Sequence, residues 1–216
     1  MHTVIIFDLD GTLLDTSEGI FNTAQYVMTS FDKELLDDEQ LRRFVGPPLR
    51  LCFRDIAEIE PELVDEAVHR YRTYYSESGG MVKAEIYANM VELLQALKER
   101  DYQLAVATNK NEKLAHTVLD HFGLDSYFDY IGGMDEEGTL TKSDIIIKVL
   151  NHFELKEGQK ALMIGDTHLD QEGSQNTGID FVAVKWGFGF NSDTPPQQSS
   201  SLIAYIEDPL DLLAHL

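Results

Sequence analysis

The chain has 216 residues, 43% hydrophobic and 25% charged, the balance of a globular protein of one large domain or one domain with a smaller insert. Lys and Arg number 17 against 38 Asp and Glu, and the resulting net charge of −21 repels nucleic acid and anionic lipid and argues against both as partners. Cys52 is the only cysteine, which excludes an internal disulfide and a thiolate metal cluster; with no basic leader and no run near the roughly 18 apolar residues of a membrane span, the cytoplasm is the expected compartment.

In chain order, Met1 to Leu9 carry an apolar run. Its Val4-Ile5-Ile6-Phe7 stretch predicts a buried parallel strand running into a loop at Asp8, Asp10 and Gly11. Residues 16–83 offer no convincing strand. They predict helices over Ser17–Phe31, Asp37–Phe44, Leu49–Ala57 and Pro61–Ser78, interrupted by Gly46-Pro47-Pro48 and closed by Gly79-Gly80. Asn89–Arg100 places Met90, Leu93, Leu94 and Leu97 on one helical face. Gln103–Ala107 repeats the strand pattern and ends at Thr108-Asn109, with a helix expected over Lys110–Phe122 and a weaker strand over Tyr127–Ile131. A helix over Lys142–Phe153 precedes the strand Ala161–Ile164, which ends at Gly165-Asp166. Phe181–Val184 is a further strand, Asn191–Ser201 a Ser-, Pro- and Gln-rich loop, and Leu202–Ile206 a weaker strand. Strands alternating with helices predict an α/β fold, a Rossmann-like doubly wound parallel sheet. The core is expected over residues 1–15 and 84–216, with a small inserted all-helical cap domain over 16–83.

Open parallel sheets bind ligands beyond the carboxyl ends of their strands. Three predicted strands end there in Asp8-Leu9-Asp10-Gly11-Thr12, in Thr108-Asn109, and in Gly165-Asp166 followed by Asp170, while Lys142 opens a helix between them. Asp8, Asp10, Asp166 and Asp170 brought together repel one another, and Mg²⁺ makes such crowding tolerable while bridging to a phosphate. Asp8 is then placed to attack phosphorus. Asp10, two residues on and on the same side of an extended strand, can serve as acid and base. Thr108 and Lys142 can hold the phosphoryl oxygens, with Asn109 as a further substrate contact. The bland alternatives are a polar turn, or a Ca²⁺ loop, but the latter wants Gly where Leu13 stands. Thr108 or Asn109 could also be an N-cap, with Glu112 completing a capping box on Asn109; Thr141 with Asp144 and Thr167 with Asp170 share that spacing. Lys142 in a first helical turn opposes the helix dipole at a cost of roughly 0.3–1 kcal/mol, a mismatch that a phosphate ligand explains.

On these residues the chain resembles the haloacid dehalogenase superfamily over nearly its whole length, and within it the phosphoglycolate phosphatase-like group. The motifs are Asp8–Thr12, Thr108, Lys142 and Gly165–Asp170, in order, with Gly46-Pro47-Pro48-Leu49 and Trp186-Gly187-Phe188-Gly189 also typical. Gln171 and Ser143 depart from the usual apolar residue and Pro. The resemblance implies Asp8 as nucleophile, Asp10 as acid/base, Mg²⁺ held by Asp8, Asp166 and the Asp10 carbonyl, and a helical cap that closes over the site. The expected activity is Mg²⁺-dependent hydrolysis of a small phosphate monoester by a cytoplasmic monomer. A phosphomutase or a pyrophosphatase/nucleotidase shares every motif; a dehalogenase leaves Asp10 and Asp166 unexplained, and a non-catalytic phosphate-binding regulator has no use for both Asp8 and Asp10. Six of the seven arginines fall in the predicted cap: Arg42, Arg43, Arg50, Arg54, Arg70 and Arg72. Arg50 and Arg54, i,i+4 on one helix, are candidates to meet a second anionic group on the substrate, the alternative being a solvated face with Arg54 paired to Glu58. His168, in the acidic loop, is expected to be exposed.

Overall fold

The computed structural model describes residues 2–216, so Met1, which the sequence assigns to the core, lies outside the described residues. Its strands are β1 (His2–Phe7), β2 (Leu14–Asp15), β3 (Glu85–Ile86), β4 (Gln103–Asn111), β5 (Tyr130–Met134), β6 (Lys160–Gly165), β7 (Asp180–Val184) and β8 (Leu202–Ile206). Its helices are α1 (Ser17–Ser30), α2 (Asp38–Arg43), α3 (Leu49–Leu51), α4 (Val64–Glu77), α5 (Met90–Glu99), α6 (Glu112–His121), α7 (Lys142–Phe153) and α8 (His168–Thr177). Six strands form one sheet in the order β5-β4-β1-β6-β7-β8, every neighbouring pair parallel. This is the predicted doubly wound α/β fold.

The alternation of β1 shows why its run is apolar throughout. Ile5 and Phe7 enter one hydrophobic cluster with Leu93 and Leu97 of α5 and Val118 of α6, whereas Val4 and Ile6 enter another with Ile145 and Val149 of α7. Both faces of the strand are covered. Its register sets Phe7 beside Val106 of β4 and Ile164 of β6, so the residues that follow all three strands emerge at one edge.

The helices between β2 and β3 gather around a third cluster that includes Ile20, Val27, Phe44, Phe53, Tyr71 and Tyr75. The chain enters and leaves this insert through the antiparallel β2–β3 ribbon, only two residues wide and too short to show periodicity in the sequence. The expected single helix over Leu49–Ala57 breaks down: after Leu51 it widens into a π-helical turn over Cys52–Ile56, where Ala57 N–H donates to Cys52 O at 3.0 Å. Arg54 then pairs with its neighbour Asp55 instead of Glu58. β4 runs on past Ala107 through an irregular register to pair Asn111 with Met134, so the N-cap of α6 is Asn111, which accepts from Leu114 N–H, and neither Thr108 nor Asn109. β5 starts later than expected because Asp125–Tyr127 forms a 3₁₀ turn. Among the described residues, no helix is long and apolar enough to cross a membrane.

Candidate active site

Asp8 follows the last residue of β1, and its backbone N–H donates to Ile164 O of β6 at 2.9 Å. The chain then turns sharply, with Thr12, Leu13 and Leu14 N–H all directed at Leu9 O. Gly11 makes the turn possible: its φ is +85°, and a Cβ there would lie 2.5 Å from Asp166 Oδ2. Because the strand ends at Phe7, Asp8 and Asp10 are not successive same-side residues of a strand as the sequence suggested. Their carboxylates part company. The Asp8 carboxylate faces Lys142, while Asp10 Oδ1 accepts from Thr16 Oγ1 at 2.6 Å and meets Lys110 Nζ at 3.0 Å.

Lys142 is the first residue of α7, after Thr141, which forms with Asp144 the capping box its spacing predicts. Its ammonium lies 2.8 Å from Asp8 Oδ1, Asp170 Oδ1 and Ala107 O. The lysine that looked misplaced against a helix dipole is thus buried among three acceptors. Asp170 sits in the first turn of α8, its Oδ2 accepting from Thr167 Oγ1 at 2.7 Å and Thr167 N–H at 3.0 Å, again the predicted capping box. Asp166, after β6, accepts at Oδ2 from the backbone N–H of Phe188 (2.8 Å) and Gly189 (3.3 Å), and at Oδ1 from Thr12 Oγ1 (3.3 Å). Gly187 lets that loop approach, since a Cβ there would come within 2.3 Å of the Asp166 Cβ.

The result is a buried acidic cluster. One carboxylate oxygen from each of Asp8, Asp166 and Asp170 lies within 4.8 Å of the others. The Asp10 carboxylate is not part of it. Burial, with the charges of Asp170 and Asp166, outweighs Lys142 and raises Asp8 well above the usual carboxylate range. Burial and then Asp170 push Asp166 up to about 7, against the Phe188 and Gly189 N–H groups and Lys142. Burial alone would lower Lys142, but Asp170 and Asp8 outweigh it and hold it charged, above an ordinary lysine. One cation against three clustered carboxylates leaves negative charge to be balanced, the situation a hard divalent ion suits.

A carboxyl group raised in the folded state keeps its proton while the unfolded chain loses one. Stability is therefore fully present below the ordinary carboxylate range and lost as pH rises through the folded value, here the window from about 4 to about 7 for Asp166. With a chelator present, the Tm of the wild type relative to Asp166→Asn should fall across that window. Thermal melts of both proteins at several pH values test this, and a difference that stays flat or rises would mean that Asp166 is ionised at no cost.

Thr108 is buried on β4, and its Oγ1 accepts from Lys110 N–H at 3.1 Å. Asn109 Nδ2 donates to Gly46 O of the insert at 2.9 Å, a tie between insert and sheet. Arg50 is half exposed, paired with Asp65 and directed at Glu137 O, at the rim of the cavity beside Asp10. His168 is exposed and edge-on to Phe190. Lys110 was not picked out from the sequence. Its ammonium is buried between Asp10 and the Tyr75 ring, whose centroid is 5.0 Å away. Burial opposes its charge, but Asp10 and then Tyr75 outweigh burial and raise it. Thr12, quoted in the first motif without a role, and Thr16, not picked out at all, each hold an aspartate. A lysine inside the polar run Thr108–Asn111 looks like surface, and its partner lies a hundred residues away.

The family model described as haloacid dehalogenase-like hydrolase matches residues 5–184. The chain is 33% identical over 200 residues to a 5'-nucleotidase of Pseudomonas aeruginosa, covering 93% of this chain and 90% of that protein. It is 31% identical to a phosphoglycolate phosphatase of Aquifex aeolicus, covering 89% of each. A solved haloacid dehalogenase-like family hydrolase of Streptococcus pneumoniae superposes with a TM-score of 0.86 at 33% identity, covering 99% of this chain and 97% of that one.

Proposed function

The chain belongs to the haloacid dehalogenase-like hydrolases, and from that premise we propose that it is a Mg²⁺-dependent phosphatase that hydrolyses a small phosphate monoester through an aspartyl phosphate on Asp8. The observation that carries the proposal is the meeting of Asp8, Asp166 and Asp170 within 4.8 Å around the single ammonium of Lys142, with Asp10 held separately beside them.

Asp8, Asp166 and the Asp10 carbonyl would hold the metal, with Asp170 adding charge to the cluster, and the ion would supply positive charge against the anionic phosphate. Lys142 fixes Asp8 through Oδ1, which leaves Oδ2 to attack phosphorus. The new Oδ2–P bond forms as the bond from phosphorus to the ester oxygen breaks, and protonated Asp10 gives its proton to the departing alkoxide. Water then attacks phosphorus, Asp10 takes back a proton, and inorganic phosphate leaves with Asp8 restored. Thr108 and Lys142 stabilise the phosphoryl oxygens during both transfers. Arg50, at the rim, meets a further anionic group of the substrate. Residues 16–83 act as the cap, and the enzyme works as a cytoplasmic monomer.

Phosphate release from a panel of small phosphate monoesters with Mg²⁺, phosphoglycolate among them, tests the proposal. Chelation should lower the rate roughly 100-fold or more, and excess Mg²⁺ should restore it. Full turnover in chelator would remove the metal from the mechanism, and absence of turnover under every condition would leave a phosphate-binding regulator as the better account.

A further inference from the structure

Asp10 is gripped by one oxygen. Its Oδ1 accepts from Thr16 Oγ1 at 2.6 Å and meets the Lys110 ammonium at 3.0 Å. With two donors on it, that oxygen has both lone pairs committed. The proton that Asp10 gives and takes back is thereby assigned to Oδ2, which neither donor touches.

Thr16 alone would let the carboxylate turn about a single bond. Lys110 supplies the second point of hold, and the structure fixes the lysine there. Its backbone N–H donates to Thr108 Oγ1 at 3.1 Å. Its ammonium lies 5.0 Å from the centroid of the buried Tyr75 ring. Its side chain is 8% exposed, so water has little room to take its place. The two anchors come from different parts of the chain. Thr16 stands at the start of α1, where the insert begins, and Lys110 on the tail of β4 in the core. A simple structural ion pair has no need for a hydroxyl and an ammonium to converge on the same carboxylate oxygen.

We propose that Lys110 is a positioning residue for the acid–base step: by holding Asp10 Oδ1 together with Thr16, it presents Oδ2 to the oxygen that leaves phosphorus. The inference rests on the phosphatase reading above. In the first transfer the bond from Asp8 Oδ2 to phosphorus forms, the bond from phosphorus to the ester oxygen breaks, and the Oδ2 proton of Asp10 passes to that oxygen. Asp10 is left as a carboxylate anchored at Oδ1, with Oδ2 in place to take a proton from the water that attacks next. Lys110 keeps its own protons throughout.

The test compares kcat/KM on ethyl phosphate and acetyl phosphate, which share a two-carbon frame. Ethoxide leaves poorly without a proton, whereas acetate is a stable anion that needs none. Because kcat/KM covers the steps up to the first phosphoryl transfer, the value for acetyl phosphate omits the acid–base step. Lys110→Met should lower kcat/KM on ethyl phosphate roughly 100-fold and on acetyl phosphate by no more than about threefold. The ratio of the two does not depend on how much of the variant is folded. Lys110→Arg, which keeps a donor for Oδ1, should recover about tenfold of that ratio. In Asp10→Asn, which should show the same selective loss, adding Lys110→Met should cost less than about a further threefold, because the lysine acts through the aspartate. Glycerol 3-phosphate takes the place of ethyl phosphate if turnover of the latter is too slow to read. Equal losses on the two substrates, or a further tenfold or greater loss in the Asp10→Asn background, would overturn the proposal while the phosphatase reading stands. Failure of both Lys110→Met and Lys110→Arg to fold would make the lysine structural and overturn it too. If the wild type releases phosphate from none of these compounds nor from the monoester panel, the phosphatase reading fails and takes this inference with it.

Discussion

Asp8→Asn is expected to lower Mg²⁺-dependent phosphate release by about 10⁵-fold, the scale on which loss of a covalent nucleophile is felt. The substitution keeps the shape of the side chain and removes the charge that the proposed mechanism needs for attack. It should also leave the fold intact or firmer, because Asp8 is one of three buried carboxylates around one lysine, and its neutralisation relieves repulsion from Asp166 and Asp170. That pairing of lost turnover with an undiminished Tm separates a reacting group from a structural one. Acid-quenched wild type given labelled substrate should retain the label as an acyl phosphate, and the variant should retain none. A variant with more than roughly a hundredth of the wild-type rate would show that another group attacks phosphorus.

Lys142→Met is expected to act in the opposite sense on stability. The lysine ammonium lies 2.8 Å from Asp8 Oδ1, Asp170 Oδ1 and Ala107 O, and its side chain is 4% exposed. Deleting one partner of a buried ionic group leaves the others uncompensated, a cost of about 3–5 kcal/mol. In a chain of this size that corresponds to a fall in Tm of roughly 10 °C. Activity should fall as well, since Asp8 loses the bond that orients it. Thermal melts in chelator give the clearest measure, and a Tm within about 2 °C of wild type would mean that the three acceptors find other partners.

The elements that were legible in the sequence share one physical property: their local pattern and their tertiary environment agree. Val4–Phe7 is apolar at every position because both faces of β1 are covered, and Leu202–Ile206 matches its strand to the residue. Thr141 and Thr167 cap their helices as their spacing with Asp144 and Asp170 predicts, which placed Lys142 and Asp170 correctly in first turns. Illegibility begins where tertiary contacts override local preference. The tail of β4 is polar, so Thr108–Asn111 looked like a loop and a helix start, yet pairing with Met134 keeps it extended. The glycines of β5 carry little strand propensity and hid its true extent. At the site, Asp8, Asp166, Asp170 and Lys142 were recoverable because strand ends converge in a doubly wound sheet. Lys110 was not, because its ion pair with Asp10 depends on a fold-level juxtaposition and leaves no spacing to find. Arg50 was singled out for its charge and lies at the rim, whereas Arg72, in the same insert, has a buried Nε with no hydrogen bond among the described residues.

The irregular end of β4 has a wider meaning for how this sequence can change over time. Three consecutive residues there serve three different customers: Thr108 holds the Lys110 amide, Asn109 reaches across to Gly46 of the insert, and Lys110 turns to Asp10. Exchange of any one for a similar side chain leaves its neighbours in place. Gain or loss of a single codon does not, because it reassigns all three at once and rotates the wrong residue into each position. Drift in this segment is therefore confined to replacement, with length held fixed by the ladder on one side and the Asp10 carboxylate on the other.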